Sequence, residues 1–198
     1  MRKTNLSLFP VFLTTVALSS TLWAKEQFYI FTDIGTSANT DYSFTSASSP
    51  LISNEINYVS YRFGAGYSTP VSQHFSLGGE IAYNYYGDET YHYLNLDQAE
   101  ISFSSTDVLF VTALHLNSEW ETHVKFGAAY EEVVATESYF GGNVTTKEWV
   151  PEAVAGMSYH FNEHFSVHGD FSYLMGWVSG LNDMPDITVG WLGLSYAF

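Results

Sequence analysis

The sequence predicts an all-β protein whose eight strands close into an antiparallel, up-and-down transmembrane β-barrel. Three observations lead to this fold class. After residue 24, the 198-residue chain contains eight stretches in which apolar and polar side chains alternate, as they do along a strand. Short and long connections alternate between the stretches. One face of the stretches is apolar with aromatic ends, and the other carries small residues and isolated charges, which indicates lipid outside and a polar lumen inside.

Residues 1–24 precede the predicted barrel and have the pattern of a secretory signal peptide. Arg2 and Lys3 form a positive start, an apolar run covers 6–18, and Ala24 is the candidate cleavage point. The run is too short to cross a bilayer comfortably as a helix. We therefore expect a barrel domain over 25–198. The alternative is a retained anchor, although no stop-transfer segment follows.

The charge of the mature chain excludes some partners. Without Arg2 and Lys3, 4 basic residues stand against 21 acidic ones, a net charge of −17. Nucleic-acid binding needs clustered Lys and Arg, so we expect no nucleic-acid partner. The chain has no Cys, and nothing in it predicts a cofactor.

The eight predicted strands each provide the roughly 9–11 residues that a tilted strand needs to cross a membrane. They cover 27–36, 56–68, 75–87, 104–116, 120–135, 148–161, 165–176 and 186–198. In the third, Phe75, Leu77, Ile81, Tyr83 and Tyr85 alternate with Ser76, Glu80 and Asn84. A soluble sandwich or lipocalin-like barrel also alternates, but its solvent face is rich in Lys, Glu and Asp. Here the more polar face is crowded with Gly, Ala and Ser.

Two stretches fit the alternation less well. The register of the fourth is open: if its polar ends face the lumen, Leu109, Val111 and Ala113 point inward. Pro151 lies inside the sixth stretch and removes a ladder donor, so we expect a bulge or a strand end there.

The connections orient the predicted barrel. Three are short (69–74, 117–119 and 162–164), and four are longer (37–55, 88–103, 136–147 and 177–185). Short periplasmic turns and long extracellular loops alternate in this way, which places both termini in the periplasm. The long connections are rich in Asp, Glu and Tyr. Aromatic-rich loops can bind surfaces, so one interpretation is an extracellular surface ligand, whose identity the loop sequences do not reveal. The alternative is solvated loops in the lipopolysaccharide layer, with divalent ions bridging their carboxylates to phosphates.

The C-terminal stretch carries the resemblance to a known family. Phe198, Tyr196 and Leu194 share one face, and the chain stops on the aromatic Phe198. This ending resembles the closing strand of outer-membrane β-barrels, and 156–174 resembles the strand–turn–strand pattern of OmpA- and OmpX-type eight-stranded barrels. The resemblance implies a Gram-negative outer membrane, contact with its lipids and lipopolysaccharide, and reading of the C-terminus by the assembly machinery.

Eight strands enclose a space that side chains can just fill. The predicted luminal network comprises Arg62, Glu80, Lys125, Glu152, His168 and Asp170, and the same face adds Asp33, Asn84, Asp107, His115, His123, Glu131 and His160. With a turn centred near Val71, Arg62 falls opposite Glu80, and we expect a charge-assisted pair. Lys125 requires a carboxylate from across the lumen, either Glu152 or Asp170.

These features favour a structural or surface-interaction role without catalysis. The alternative is a narrow cation-preferring channel, because carboxylates outnumber the two fixed luminal cations. A lipid-modifying enzyme is less favoured. Ser166, His168 and Asp170 share a face, but the spacing of about 7 Å along a strand is too long for a hydrogen-bonded relay. A metal site needs three or four converging ligands, and none is predicted.

Overall fold

The computed structural model describes residues 26–40, 51–93, 98–137, 142–176, 178–179 and 182–198. The predicted signal peptide and parts of the long connections lie outside these residues. Within the described ranges, no helix is long and apolar enough to cross a membrane.

Eight strands, one of them split in two, form the barrel, so the predicted fold class is confirmed. In chain order, the strands of the described residues are β1 (Gln27–Thr40), β2 (Leu51–Asn57), β3 (Val59–Pro70), β4 (Phe75–Tyr93), β5 (Gln98–His115), β6 (Trp120–Glu137), β7 (Gly142–His160), β8 (Phe165–Leu174), β9 (Val178–Ser179), β10 (Asn182–Asp183) and β11 (Asp186–Ala197). β2 and β3 are the two parts of the split barrel strand. The ring runs β1–β3–β4–β5–β6–β7–β8–β11 and closes by pairing β11 with β1. Every pairing is antiparallel. Within the described residues, β9 and β10 pair with each other and with no strand of the barrel.

Three four-residue turns share one geometry and define what we call the short-turn end of the barrel. They begin at Val71, Leu116 and Phe161, with equal spacings of 45 residues. In each turn the first backbone N–H donates to the carbonyl four residues on, at 2.8–2.9 Å. Asn117 and Asn162 accept backbone N–H groups with their side-chain oxygens. The opposite end is the long-loop end.

Two aromatic pairs mark the edges of the lipid-facing band on β6 and β7. Trp120 is paired with Tyr159 near the short-turn end, and Tyr130 with Trp149 further along. Their ring centroids are 5.0 and 5.2 Å apart. Ten residues at about 3.3 Å each, tilted by about 40°, give about 25 Å, the height of the apolar band of a transmembrane barrel. Between the pairs, outward side chains such as Phe126 are more than half exposed.

Four strands continue beyond this band at the long-loop end. β4 extends to Tyr93, β5 begins at Gln98, β6 extends to Glu137 and β7 begins at Gly142. With β2 they form the projecting sheet, which we define as 51–57, 88–93, 98–104, 132–137 and 142–148. Its outward face is polar: Glu132 and Lys147, directly beyond the Tyr130–Trp149 pair, form an ion pair at 2.9 Å.

A glycine makes the transition into the projecting sheet on β4. The register shifts between Tyr85 and Gly87, and Gly87 has a φ of 102°, a conformation that favours glycine. A Cβ there would also collide with the carbonyl of Asn57. Beyond the bulge, β4 pairs with β2 instead of β3.

The two open questions about strand register are resolved. Leu109, Val111 and Ala113 point inward and are at most 7% exposed. The expected bulge or strand end at Pro151 is wrong: β7 runs through Pro151, which pairs in register with Ala128 of β6. The missing donor is tolerated because pairing with β8 stops at the next residue, Glu152.

Candidate functional site in the barrel lumen

Arg62 of β3 occupies the centre of the lumen and is 1% exposed. Its Nη2 donates to Oδ2 of Asp170 at 2.7 Å, and its Nε donates to Asp33. The rings of Phe31 and Trp191 lie 5.3 and 5.1 Å from the guanidinium carbon. Aromatic faces attract a cation, more strongly when it is desolvated. Arg62 therefore connects β1, β3, β8 and β11 across the lumen.

Lys125 of β6 is the second buried cation. Its Nζ lies 2.9 Å from Oε2 of Glu80 and 3.2 Å from Oδ2 of Asp170. Tyr29 donates its hydroxyl to Oε1 of Glu80 at 2.7 Å. Asp170 is thus shared between the two cations, which compensates both for the water they lose on burial.

Two histidines complete this central network. Nε2 of His168 lies 2.6 Å from Oδ1 of Asp33, and Nε2 of His123 lies 2.8 Å from Oδ1 of Asp170. The central network thus consists of three carboxylates, two permanent cations and two imidazoles: Asp33, Glu80, Asp170, Arg62, Lys125, His123 and His168. The network is electrically neutral when one of the imidazoles carries a proton.

The expected Arg62–Glu80 pair is wrong. The β3–β4 turn is centred on Gln73, two residues after Val71, so Arg62 lies opposite Asn84 and Glu80 opposite Gly66. Arg62 pairs instead with Asp33 of β1 and Asp170 of β8, and Glu80 pairs with Lys125 of β6. Of the two carboxylates expected near Lys125, Asp170 is the one in contact with it.

Glycines opposite the network's carboxylates give it room. Gly193 faces Asp33 across the β1–β11 ladder, and Gly156 faces Asp170 across the β7–β8 ladder. A Cβ on Gly156 would collide with the Asp170 carboxylate and lie 2.6 Å from Nε2 of His123.

Two further glycines lie beneath aromatic rings: the Phe31 ring covers Gly64, and the Trp191 ring covers Gly35. Sequence reasoning missed these pairs, although Gly on a predicted luminal face was a usable signal.

Glu152 lies outside the central network, with a group of acids nearer the long-loop end. Ser105 donates to Oδ1 of Asp107 at 2.5 Å, and Asn84 contacts both residues. Glu131 is fully buried, and neither of its carboxyl oxygens has a hydrogen-bond partner among the described residues. Across the described chain, no group of three or more His, Cys, Asp or Glu has the arrangement to hold a metal ion.

Beyond these acids lies Glu89, which is buried and accepts a hydrogen bond from the Tyr91 hydroxyl at 2.6 Å. Most other inward side chains there are apolar, so the expected polar lumen describes only part of the interior. They form one cluster, the apolar plug, of Tyr86, Tyr91, Ala99, Ile101, Phe103, Ala129, Val133, Ala135, Val150, Leu174, Met184, Ile187, Val189 and Trp191. Ile101, Phe103, Leu174 and Ile187 have no exposed surface. The strands keep their alternation at this level, but most inward positions carry apolar side chains.

The predicted face of Ser166, His168 and Asp170 forms no relay. The Ser166 hydroxyl lies 2.5 Å from that of Ser195, while His168 contacts Asp33 and Asp170 contacts Arg62. Each side chain is directed to a different partner, as their spacing along the strand requires.

Comparison with known proteins supports the fold through structure alone. No family model matches the chain, and no curated protein does. Ail, the attachment invasion locus protein of Yersinia pestis, is 14% identical, with 89% of this chain and 100% of Ail covered and a TM-score of 0.59. OprG from Pseudomonas aeruginosa is 14% identical, with 88% and 97% covered and a TM-score of 0.52. Neisserial surface protein A is 8% identical, with 86% and 97% covered and a TM-score of 0.52. The chain is an eight-stranded barrel of the outer-membrane type.

The last strand of this outer-membrane-type barrel presents its apolar face outward. Leu194 and Phe198 are 59% and 57% exposed. The Tyr196 ring packs against Phe165 and Phe198, each at 5.0 Å. Recognition of these residues by the assembly machinery stays a prediction.

Proposed function

We propose that this protein is a Gram-negative outer-membrane barrel with a closed lumen, which interacts with surfaces through the projecting sheet and has no catalytic role. The short-turn end and both termini then lie in the periplasm, and the projecting sheet lies outside the cell. The observation that carries the proposal is that β4–β7 extend as paired strands well beyond the lipid-facing band.

The packing of the lumen supports a role outside it. Arg62 and Lys125 bind carboxylates from several strands, and the apolar plug lies between this network and the long-loop end. An ion would have to break buried ion pairs and then cross an apolar layer, and both steps are costly. The narrow cation-preferring channel is therefore the weaker candidate.

The outward face of the projecting sheet favours a cationic partner. Glu55, Asp88, Glu100 and Glu132 lie on this face, and Lys147 is its one Lys or Arg among the described positions. Lys147 is already paired with Glu132. Ail has been crystallised with the heparin analogue sucrose octasulfate, but such a polyanion would be repelled here. Within the membrane, lipids and lipopolysaccharide surround the barrel.

The test uses the barrel in nanodiscs of neutral phosphatidylcholine, with oligolysine and sucrose octasulfate as probes. We expect oligolysine to bind and sucrose octasulfate not to bind. The triple variant Glu55→Lys, Glu100→Lys and Glu132→Lys should weaken oligolysine binding at least about tenfold, because three attractions become repulsions.

A matched control reverses the same number of charges at the short-turn end, with Glu26→Lys, Glu119→Lys and Glu163→Lys. These residues are also exposed. An equal loss of oligolysine binding in both triple variants, or equal binding of the two probes, would contradict the proposal.

A further inference from the structure

A second polar cluster lies at the short-turn mouth of the lumen. Three imidazoles surround Glu121: Nδ1 of His115 is 3.0 Å and Nε2 of His160 is 3.7 Å from Oε2, and Nδ1 of His123 is 4.0 Å from Oε1. The side chains of His115 and His160 are 33% and 36% exposed, although Nε2 of His160 is itself buried and has no hydrogen-bond partner among the described residues. We call His115, Glu121, His123 and His160 the mouth cluster.

The strand ends bring the mouth cluster together. His115 and Glu121 are directly paired across the β5–β6 hairpin. The backbone N–H of His160, at the end of β7, donates to the carbonyl of Glu119 at 2.7 Å. Oγ of Ser76 on β4 lies 3.3 Å from Nε2 of His115. One carboxylate thus connects the short-turn ends of four consecutive strands.

Ser76, His115 and Glu121 have the hydrogen-bond order of a hydrolase triad, with Nε2 toward the hydroxyl and Nδ1 toward the carboxylate. Ser76 is only 5% exposed. An ester carbonyl could not approach its Oγ in this position. Ser76 is therefore not a nucleophile in this arrangement.

We propose that the mouth cluster is a proton-binding site that fastens the short-turn ends of β4–β7 together. His115 accepts a proton from the solvent and its imidazolium group binds the Glu121 carboxylate at 3.0 Å, while His160 lies 3.7 Å from the same carboxylate oxygen. Imidazoles change charge between about pH 5 and 8. A hydrogen bond between two charged groups is shorter and stronger than one between neutral groups.

The charged group that the imidazoles of His115 and His160 face is the Glu121 carboxylate. Ser76 of β4 and Ser158 of β7 contribute hydroxyls. Tyr29 of β1 is close to Glu121 but donates its hydroxyl to Glu80. His123 of β6 lies between Glu121 and Asp170 of β8, and this links the mouth cluster to the central network.

The sign of the pH dependence follows from the pairing. A histidine that gains a carboxylate partner on folding binds its proton more tightly in the folded state. Its contribution to stability is complete below the ordinary pKa of His, about 6.5, and is lost as the pH rises above it. The proton should therefore stabilise the barrel most under mildly acidic conditions.

The test compares unfolding rates in urea, in lipid vesicles, at pH 5.5 and 7.5. We expect Glu121→Gln to accelerate unfolding roughly tenfold more at pH 5.5 than at pH 7.5. In a His115→Gln, His160→Gln background, the effect of Glu121→Gln should be the same at both pH values. This cycle separates the contribution of His115 and His160 from that of His123 and His168, which also face carboxylates.

Glu163→Gln, in an exposed short turn, is the matched control and should change nothing at either pH. The proposal is overturned if the effect of Glu121→Gln is the same at both pH values, or if its pH dependence persists without the two histidines. Should Glu121→Gln fail to fold, the histidine variants alone decide: they must weaken the stabilisation by acid, and an unchanged pH profile overturns the proposal.

Discussion

The two halves of the lumen are built on the same eight strands but are filled in opposite ways. Toward the short-turn end, inward positions carry Arg62, Lys125 and their carboxylates. Toward the long-loop end, inward positions carry the apolar plug. The first half depends on directed contacts that must all be satisfied, and the second on non-directional burial.

This difference shows that alternation determines which side chains point inward but not how the interior is held together. In the polar half, losing one partner leaves a buried charge uncompensated. In the apolar half, losing one side chain leaves a cavity. The two halves should therefore respond differently to substitution, which the following variants test in order of expected effect.

Arg62→Ala should cause the largest loss, about 3–5 kcal/mol in the free energy of unfolding, because Asp33 and Asp170 lose their shared cation. Urea titration of the refolded barrel in vesicles measures it. Arg62→Lys keeps the charge but not the planar fork, so it should restore only part of the loss. A loss below about 1 kcal/mol would mean that the network is not structural.

Ile101→Ala should cost about 2–5 kcal/mol, because its side chain is fully buried in the apolar plug and its truncation leaves a cavity. The matched variant is Ile81→Ala on the lipid-facing surface, where the side chain is 56% exposed. In vesicles that change should cost much less, since lipid fills the space. Equal costs in the same titration would refute the apolar plug as a packed core.

Gly156→Ala should cost about 1–3 kcal/mol, because the added Cβ overlaps Asp170 and His123, and overpacking forces side chains to shift. Gly190→Ala is the control, since a Cβ there meets nothing within 4 Å. The difference in urea midpoint between the two variants is the measurement. If Gly190→Ala is as damaging as Gly156→Ala, room for Asp170 is not what the glycine provides.

Lys147→Ala should have the smallest effect on the free energy of unfolding, because its ion pair with Glu132 is largely exposed and such pairs are weak. The hydrogen bond that Lys147 donates to the Glu132 carboxylate raises the pKa of Lys147. Repeating the titration in high salt should remove even this effect by screening. A cost comparable to that of Arg62→Ala would contradict the distinction between buried and exposed pairs.

The sequence was sufficient for the barrel, the strand count and the faces of most strands. Period-2 alternation in β4 and β8 separates inward from outward residues without reference to any partner. The sequence pattern does not predict the projecting sheet: it assigns Ile101 and Phe103 to a long connection, yet β5 continues through both. Where a strand continues beyond the membrane, its outward side chains do not face lipid. The sequence there lacks the apolar outward positions that identify a transmembrane strand.

The contacts within the lumen could be predicted less well than its residues. The alternation correctly places Arg62 inside, but a turn centred near Val71 gives a hairpin register that is off by four residues and therefore the wrong partner. The actual contact between Arg62 and Asp170 joins β3 to β8, strands far apart in the chain. Such contacts across a barrel depend on its closure and tilt, which local patterns do not contain.

The most direct test of the account is the current through single barrels in a planar lipid bilayer under an applied voltage. The central network and the apolar plug together predict no discrete conductance steps from the wild-type protein in neutral salt. Reproducible, cation-selective conductance steps from the wild-type barrel would show that the lumen is a channel. They would contradict the proposal that the lumen is closed and that the projecting sheet is the functional surface.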